Sequence, residues 1–113
     1  MSFLSRLFGG SDTVSPADFV AQRADGDPVL DVRTAREVAG GRIKGAAHAD
    51  VMSPDFAAMI DHLRLPTDAP VYVYCASGGR SKMAAGLLRR RGIAGAVNAG
   101  GYMALVKAGA ETE

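Results

Sequence analysis

A single cysteine, Cys75, closes a short run of β-branched and aromatic residues, Val71-Tyr72-Val73-Tyr74, and is followed by Ala76-Ser77-Gly78-Gly79-Arg80-Ser81. These residues are small enough for successive backbone N–H groups to turn toward one point, and such a turn favours an anion. From Lys82 to Arg91 the spacing becomes helical, with Met83, Ala84, Leu87 and Leu88 on one face and Lys82, Arg89 and Arg90 mostly elsewhere. Strand, cysteine, glycine-bearing turn and helix N-terminus together favour a thiolate over a thiol whose ordinary pKa is about 8.5. Cys75 is then a nucleophile. A lone cysteine at a strand end is more often an inert buried hydrophobe, but that reading accounts for neither the glycines nor Arg80.

The segment Cys75-Ala76-Ser77-Gly78-Gly79-Arg80-Ser81 resembles the active-site loop of the rhodanese (sulfurtransferase) family, in which a cysteine ahead of a short loop takes up a sulfane sulfur as a persulfide. Asp31-Val32-Arg33, Glu37 and Gly41-Arg42-Ile43-Lys44-Gly45-Ala46 resemble the family's upstream elements, with Arg42 where histidine is common. Asn98-Ala99-Gly100-Gly101 is similar to its N-x-x-G-G element near the site's rim, and Leu105 stands where a tryptophan is frequent. The resemblance spans Val14 to Gly109 and implies an α/β fold, a single rhodanese-like domain whose parallel sheet carries helices on both faces.

What it implies chemically is sulfur transfer. Cys75 attacks the outer sulfur of thiosulfate or a similar donor, the N–H groups of Ala76, Ser77, Gly78, Gly79, Arg80 and Ser81 hold the persulfide, and a thiol or cyanide removes the sulfur. A protein sulfur acceptor is compatible with the same scheme. Arg80 either meets an anionic donor at the mouth or braces the loop. Two rivals stand beside this reading. One is a non-catalytic or partner-specific persulfide carrier; the other is a cysteine-dependent phosphatase or arsenate reductase. Phosphatases use a loop one residue longer between cysteine and arginine, so the four residues between Cys75 and Arg80 fit a single sulfur better than a tetrahedral oxyanion.

The elements that must position this loop are legible in order. Thr13-Val14 reads as an edge strand, and Ser15-Pro16 opens a helix with serine as N-cap, Asp18 in the first turn and Phe19 and Val20 as apolar contacts. Val29-Leu30-Asp31-Val32 is a central strand. Thr34 caps a short helix with Glu37 at N3, a capping box. Arg33 and Glu37, four apart, are expected to form an ion pair, while Asp31 at the strand's carboxyl end either fixes the backbone or steadies the Cys75 loop. Ala47-His48-Ala49 is a short strand, and a structural hydrogen bond is the expected role of His48. Ser53-Pro54 starts a helix with Phe56, Met59, Ile60 and Leu63 on one face and His62 exposed. Gly92 ends the helix after Cys75, letting Ile93 pack back on Leu88. Ala96-Val97-Asn98 is the last strand, feeding the helix Tyr102–Lys107.

With 113 residues the chain suits one domain: an amphipathic segment over 1–10, the domain over 11–109 and a tail over 110–113. Met1–Gly10 fails as a signal peptide because Arg6 interrupts its short apolar run, and it supports no firm membrane assignment. A net charge of +1 gives no electrostatic reason to expect nucleic acid. One cysteine cannot form an internal disulfide, so a reducing, cytoplasmic compartment is expected, and no second thiol in the chain can discharge a Cys75 persulfide. His48, His62 and Cys75 lack the paired spacing of zinc ligands, and no cofactor or metal is expected.

Overall fold

The computed structural model describes residues 12–113, so the amphipathic segment expected over Met1–Gly10 lies outside the described residues. Its elements are α1 (Pro16–Gln22), β1 (Val29–Asp31), α2 (Ala35–Ala39), β2 (Ala47–His48), α3 (Phe56–Leu63), β3 (Val71–Cys75), α4 (Gly79–Arg90), β4 (Ala96–Gly101) and α5 (Tyr102–Lys107). The strands form one parallel sheet in the order β2-β1-β3-β4, and Thr13 adds a parallel bridge to Asn98 outside β4, as the sequence predicts.

Every residue of β3 is buried, the pattern of a strand covered on both faces. Its alternation divides the core in two. Val71, Val73 and Cys75 pack with Leu30 of β1, Phe56 and Ile60 of α3, and Ala84, Ala85 and Leu88 of α4. Tyr72 and Tyr74 point the other way, with Phe19 of α1 and Leu105 of α5. Phe19 meets Tyr72 edge-on at 5.0 Å between ring centroids. Helices therefore cover both faces, and all four strands send their carboxyl ends to one edge, where Cys75 sits.

The helix ends follow local chemistry. Ser15 Oγ accepts the N–H of Asp18 at 3.1 Å and caps α1. Gly92 adopts φ 93°, its N–H bonds the Arg89 carbonyl and that of Ile93 bonds the Leu88 carbonyl, which is a Schellman ending for α4. Three expectations are corrected. Because α4 starts at Gly79, its inward stripe is Ser81, Ala84, Ala85 and Leu88, and Met83 is exposed. Ser53 shapes a turn before α3 instead of capping it: its Oγ accepts the N–H of Asp55, its carbonyl that of Phe56, and the helix begins at Phe56. The residues expected as a tail are paired, since Thr112 bridges Ile43 antiparallel and Lys44 N–H bonds the Glu111 carbonyl at 2.9 Å.

Beneath the carboxyl edge lies a buried ion pair. Arg33 Nη2 and Nε donate to Asp31 at 2.7 to 3.1 Å, Nη2 also donates to the Gly41 carbonyl, and Tyr74 Oη donates to Asp31 Oδ2 at 2.6 Å. The Arg33 guanidinium lies 4.4 Å from the Tyr102 ring centroid and 5.6 Å from that of Tyr74. Burial, and the bond donated to Asp31, push the Tyr74 hydroxyl up, so it remains a donor. Removing one partner of a buried pair strands the other charge, so Asp31→Asn is expected to cost roughly 3–5 kcal/mol. Urea unfolding at neutral pH measures it; a loss under about 1 kcal/mol would mean that Arg33 finds other partners.

Candidate active site

Cys75 is the last residue of β3 and is wholly buried. Its Sγ accepts the N–H of Gly78 at 3.0 Å and lies 3.4 Å from Ser81 Oγ. The fold-back depends on Gly78, whose φ of 101° is a left-handed conformation that glycine adopts without strain, and helix α4 starts at the next residue. The thiol therefore faces both the loop amides and the positive end of a twelve-residue helix.

Burial pushes the Cys75 thiol up; the Ser81 hydroxyl, then the backbone N–H groups of Ser81, Gly78 and Ser77, pull it down, and the net position is below the ordinary thiol value. The Ser81 hydroxyl has one proton, and Asn98 Oδ1 is a competing acceptor at 2.7 Å. Asn98 is the brace of the loop. Its Nδ2 donates to the Gly78 carbonyl at 3.1 Å and its Oδ1 accepts the Gly100 N–H at 2.9 Å, tying the loop to β4. Gly101 permits the close contact: a Cβ there would stand 2.6 Å from the Ala76 carbonyl oxygen.

The residues predicted for the site separate into four groups. Ser77, Gly78 and Ser81 converge on the sulfur, whereas Ala76 and Gly79 form the exposed part of the loop. Arg80 turns sideways: Nη1 and Nη2 donate to the two carboxylate oxygens of Glu37 at 2.7 and 2.9 Å. Asp31 and Arg33 belong to the buried pair under the edge and reach the loop only through Tyr74, the neighbour of Cys75. The Arg33–Glu37 ion pair expected from their spacing is replaced by Arg33–Asp31 and Arg80–Glu37. The capping box explains why. Glu37 Oε1 accepts the Thr34 N–H at 3.1 Å, which turns its side chain back over the N-terminus of α2 toward Arg80.

His48 Nε2 lies 2.7 Å from the Arg33 carbonyl oxygen, the structural bond expected of it. Leu105, the counterpart of the frequent tryptophan, is fully buried among Phe19, Tyr72 and Tyr74 and does not shape a rim. Among the described residues no group of three or more His, Cys, Asp or Glu could hold a metal ion. Glu37 as the partner of Arg80 and Asn98 as the loop brace were not singled out from sequence. The signals were present: a capping-box glutamate after β1, and a polar residue inside an otherwise apolar strand.

Comparison with known proteins follows this geometry. Residues 15–108 match the family described as the rhodanese-like domain. The thiosulfate sulfurtransferase GlpE of Pseudomonas entomophila is 39% identical over 80 residues, covering 70% of this chain and 69% of that protein. The human single-domain sulfurtransferase TSTD1 superposes with a TM-score of 0.70 at 28% identity, over 87% of this chain and 97% of the human one. A rhodanese-related protein from Thermoplasma volcanium shares the fold, with a TM-score of 0.74 at 24% identity over 89% of this chain and 96% of that one.

Two measurements follow. The pH profile of Cys75 alkylation by iodoacetamide in intact protein is expected to have its midpoint below that of a free thiol, and Ser81→Ala to raise it; a midpoint at or above the free-thiol value would show that burial wins. Glu37 is pulled down to about 2, first by Arg80 and then by the Thr34 N–H. A carboxylate depressed in the folded state stabilises above its unfolded pKa and loses that contribution as pH falls. The clamp's share of stability is thus expected to be fully present above about pH 4.5 and to disappear toward pH 2. The stability difference between wild type and Glu37→Gln, followed by urea unfolding from pH 7 to 3, should shrink accordingly.

Proposed function

The chain belongs to the rhodanese-like domain family and is a rhodanese-type enzyme, and from that premise we propose that it moves a sulfane sulfur from thiosulfate or a similar donor to a thiophilic acceptor through a persulfide on Cys75. One observation carries this reading. The Cys75 sulfur is the point on which the Gly78 N–H and the Ser81 hydroxyl converge. Preformed amide dipoles of this kind stabilise a nucleophilic thiolate and the persulfide anion that replaces it, and they need no reorganisation at the moment of reaction.

In the first half-reaction the Cys75 thiolate attacks the outer sulfur of the donor. The donor's sulfur–sulfur bond breaks, and sulfite or its equivalent departs with the electron pair. In the second half-reaction a thiol or cyanide attacks the outer sulfur and Cys75 is released as thiolate. The chain holds no other cysteine to do this, so the acceptor comes from outside, a small molecule or a protein. Cys75 is buried to 0% exposure beneath the exposed Ala76, Ser77 and Gly79, so a donor reaches it from the side of these residues. The lone cysteine accords with a reducing, cytoplasmic setting. Among the described residues no helix is long and apolar enough to cross a membrane. Against the phosphatase reading stands Arg80, both of whose outer nitrogens are engaged by the Glu37 carboxylate instead of facing an oxyanion.

Intact mass spectrometry after incubation with thiosulfate, without reducing agent, tests the proposal. One added sulfur per chain is expected, removable by cyanide and absent in Cys75→Ser. Failure to load sulfur from thiosulfate and from a hydropersulfide alike would overturn it.

A further inference from the structure

The charges around the mouth of the loop do not favour a doubly negative donor. Arg80 is the cation of the loop itself, and both its outer nitrogens are engaged by the Glu37 carboxylate. The pair is sheltered, with side chains 28% and 33% exposed. Asp50 stands near enough to act on Arg80 as well, and so does Cys75. The nearest cation along α4, Lys82, is exposed, where solvent and salt screen it. Arg80 is thus outnumbered by Glu37, Asp50 and the thiolate. Thiosulfate would bring two more negative charges to this place.

Three exposed methionines lie on segments that follow the sheet's carboxyl edge. Met52, Met83 and Met103 are 65%, 49% and 57% exposed and stand on the segments that leave the carboxyl edge of the sheet, after β2, in α4 and at the start of α5. Methionine is soft and adaptable, and it suits a donor with a carbon body better than an inorganic anion.

We propose that Glu37, supported by Asp50, is the specificity-determining and positioning residue of this site: by holding Arg80 in a two-pronged ion pair it selects organic hydropersulfides over dianionic thiosulfate. The inference rests on the sulfurtransferase reading and deepens it. The chemistry balances without a cation at the mouth. Cys75–S⁻ attacks the outer sulfur of R–S–S–H; the donor's S–S bond breaks, R–S⁻ leaves with the electron pair, and Cys75–S–S–H keeps the proton. The donor is neutral when protonated and carries a single negative charge when ionised, against two for thiosulfate. With thiosulfate, three negative charges meet.

The test is the ratio of kcat/KM for thiosulfate to kcat/KM for 2-hydroxyethyl hydropersulfide, with cyanide as acceptor, in wild type, Glu37→Gln and Asp50→Asn. Wild type is expected to favour the hydropersulfide. Glu37→Gln retains an N3 side chain able to complete the capping box and is expected to raise the ratio about five-fold, mainly through a lower KM for thiosulfate, with a steeper salt dependence of that KM. Asp50→Asn, which leaves the ion pair in place, is expected to raise it about two-fold and supplies the answer should Glu37→Gln not fold. A ratio that stays constant or falls in the folded variants would overturn the assignment and make Glu37 a brace only. A cysteine hydropersulfide on an uncharged peptide, run beside the small donor, identifies the carrier: kcat/KM above that of thiosulfate for either one supports the proposal, and for neither overturns it. A wild type that takes up sulfur from no donor defeats the sulfurtransferase reading itself. Uptake with an unmoved ratio defeats only this inference.

Discussion

The structure around the sheet's carboxyl edge depends on backbone N–H groups being brought to bear on one sulfur atom. A chain leaving a β-strand for a helix does not ordinarily fold its amides back on the residue it has just passed. Here three supports make it do so. Gly78 takes a left-handed conformation, Gly101 leaves room for the Ala76 carbonyl, and Asn98 grips the Gly78 carbonyl and the Gly100 N–H from β4. Two of these supports come from the neighbouring strand, so the register of β3 against β4, Cys75 beside Gly101, is part of the site. Alanine at Gly101 would meet backbone, not a side chain that could swing aside.

Two ion pairs flank this turn, and they serve different ends. Asp31–Arg33 is buried, carries a tyrosine hydroxyl and two aromatic rings, and anchors the strand ends from below. A buried pair of this kind adds little net stability relative to apolar packing, and its effect is to hold the groups around it in one arrangement. Glu37–Arg80 is only about one-third exposed and lies beside the loop, joining α2 to the first turn of α4. It fixes where a positive charge points. The first pair sets geometry; the second sets the field outside it.

The sheet, its helices and the place of Cys75 at the end of β3 are legible because each rests on local chemistry: a continuous apolar run for β3, a serine–proline start for α1, a glycine stop for α4. What was not legible required knowing which distant groups meet. Spacing put Arg33 opposite Glu37 on one helix start, but Asp31, two residues away, competes for Arg33 from a buried position, and Arg80, 43 residues further along than Glu37, takes the glutamate. Periodicity placed Met83 inward because a helix stripe read from sequence has no fixed phase until its first residue is known. The residues after α5 carry no apolar pattern, so their pairing with Ile43 left no mark in the sequence.

Two tasks that one arginine could perform together are separated in this site. Stabilising the sulfur anion falls to dipoles, which act within one turn of backbone and carry no net charge. Attracting or repelling a donor falls to net charges, which act over roughly a Debye length, about 8 Å at physiological salt. Because the Ser81 hydroxyl and the loop amides are what draw the Cys75 thiol below its ordinary value, Arg80 can be engaged by Glu37 without changing that environment. A site built on a cationic side chain alone could not discard its charge in this way, since thiolate and donor would draw on the same positive group. On the proposed reading, division of the two tasks would let the loop chemistry stay constant while the residues beside it alter which donors approach.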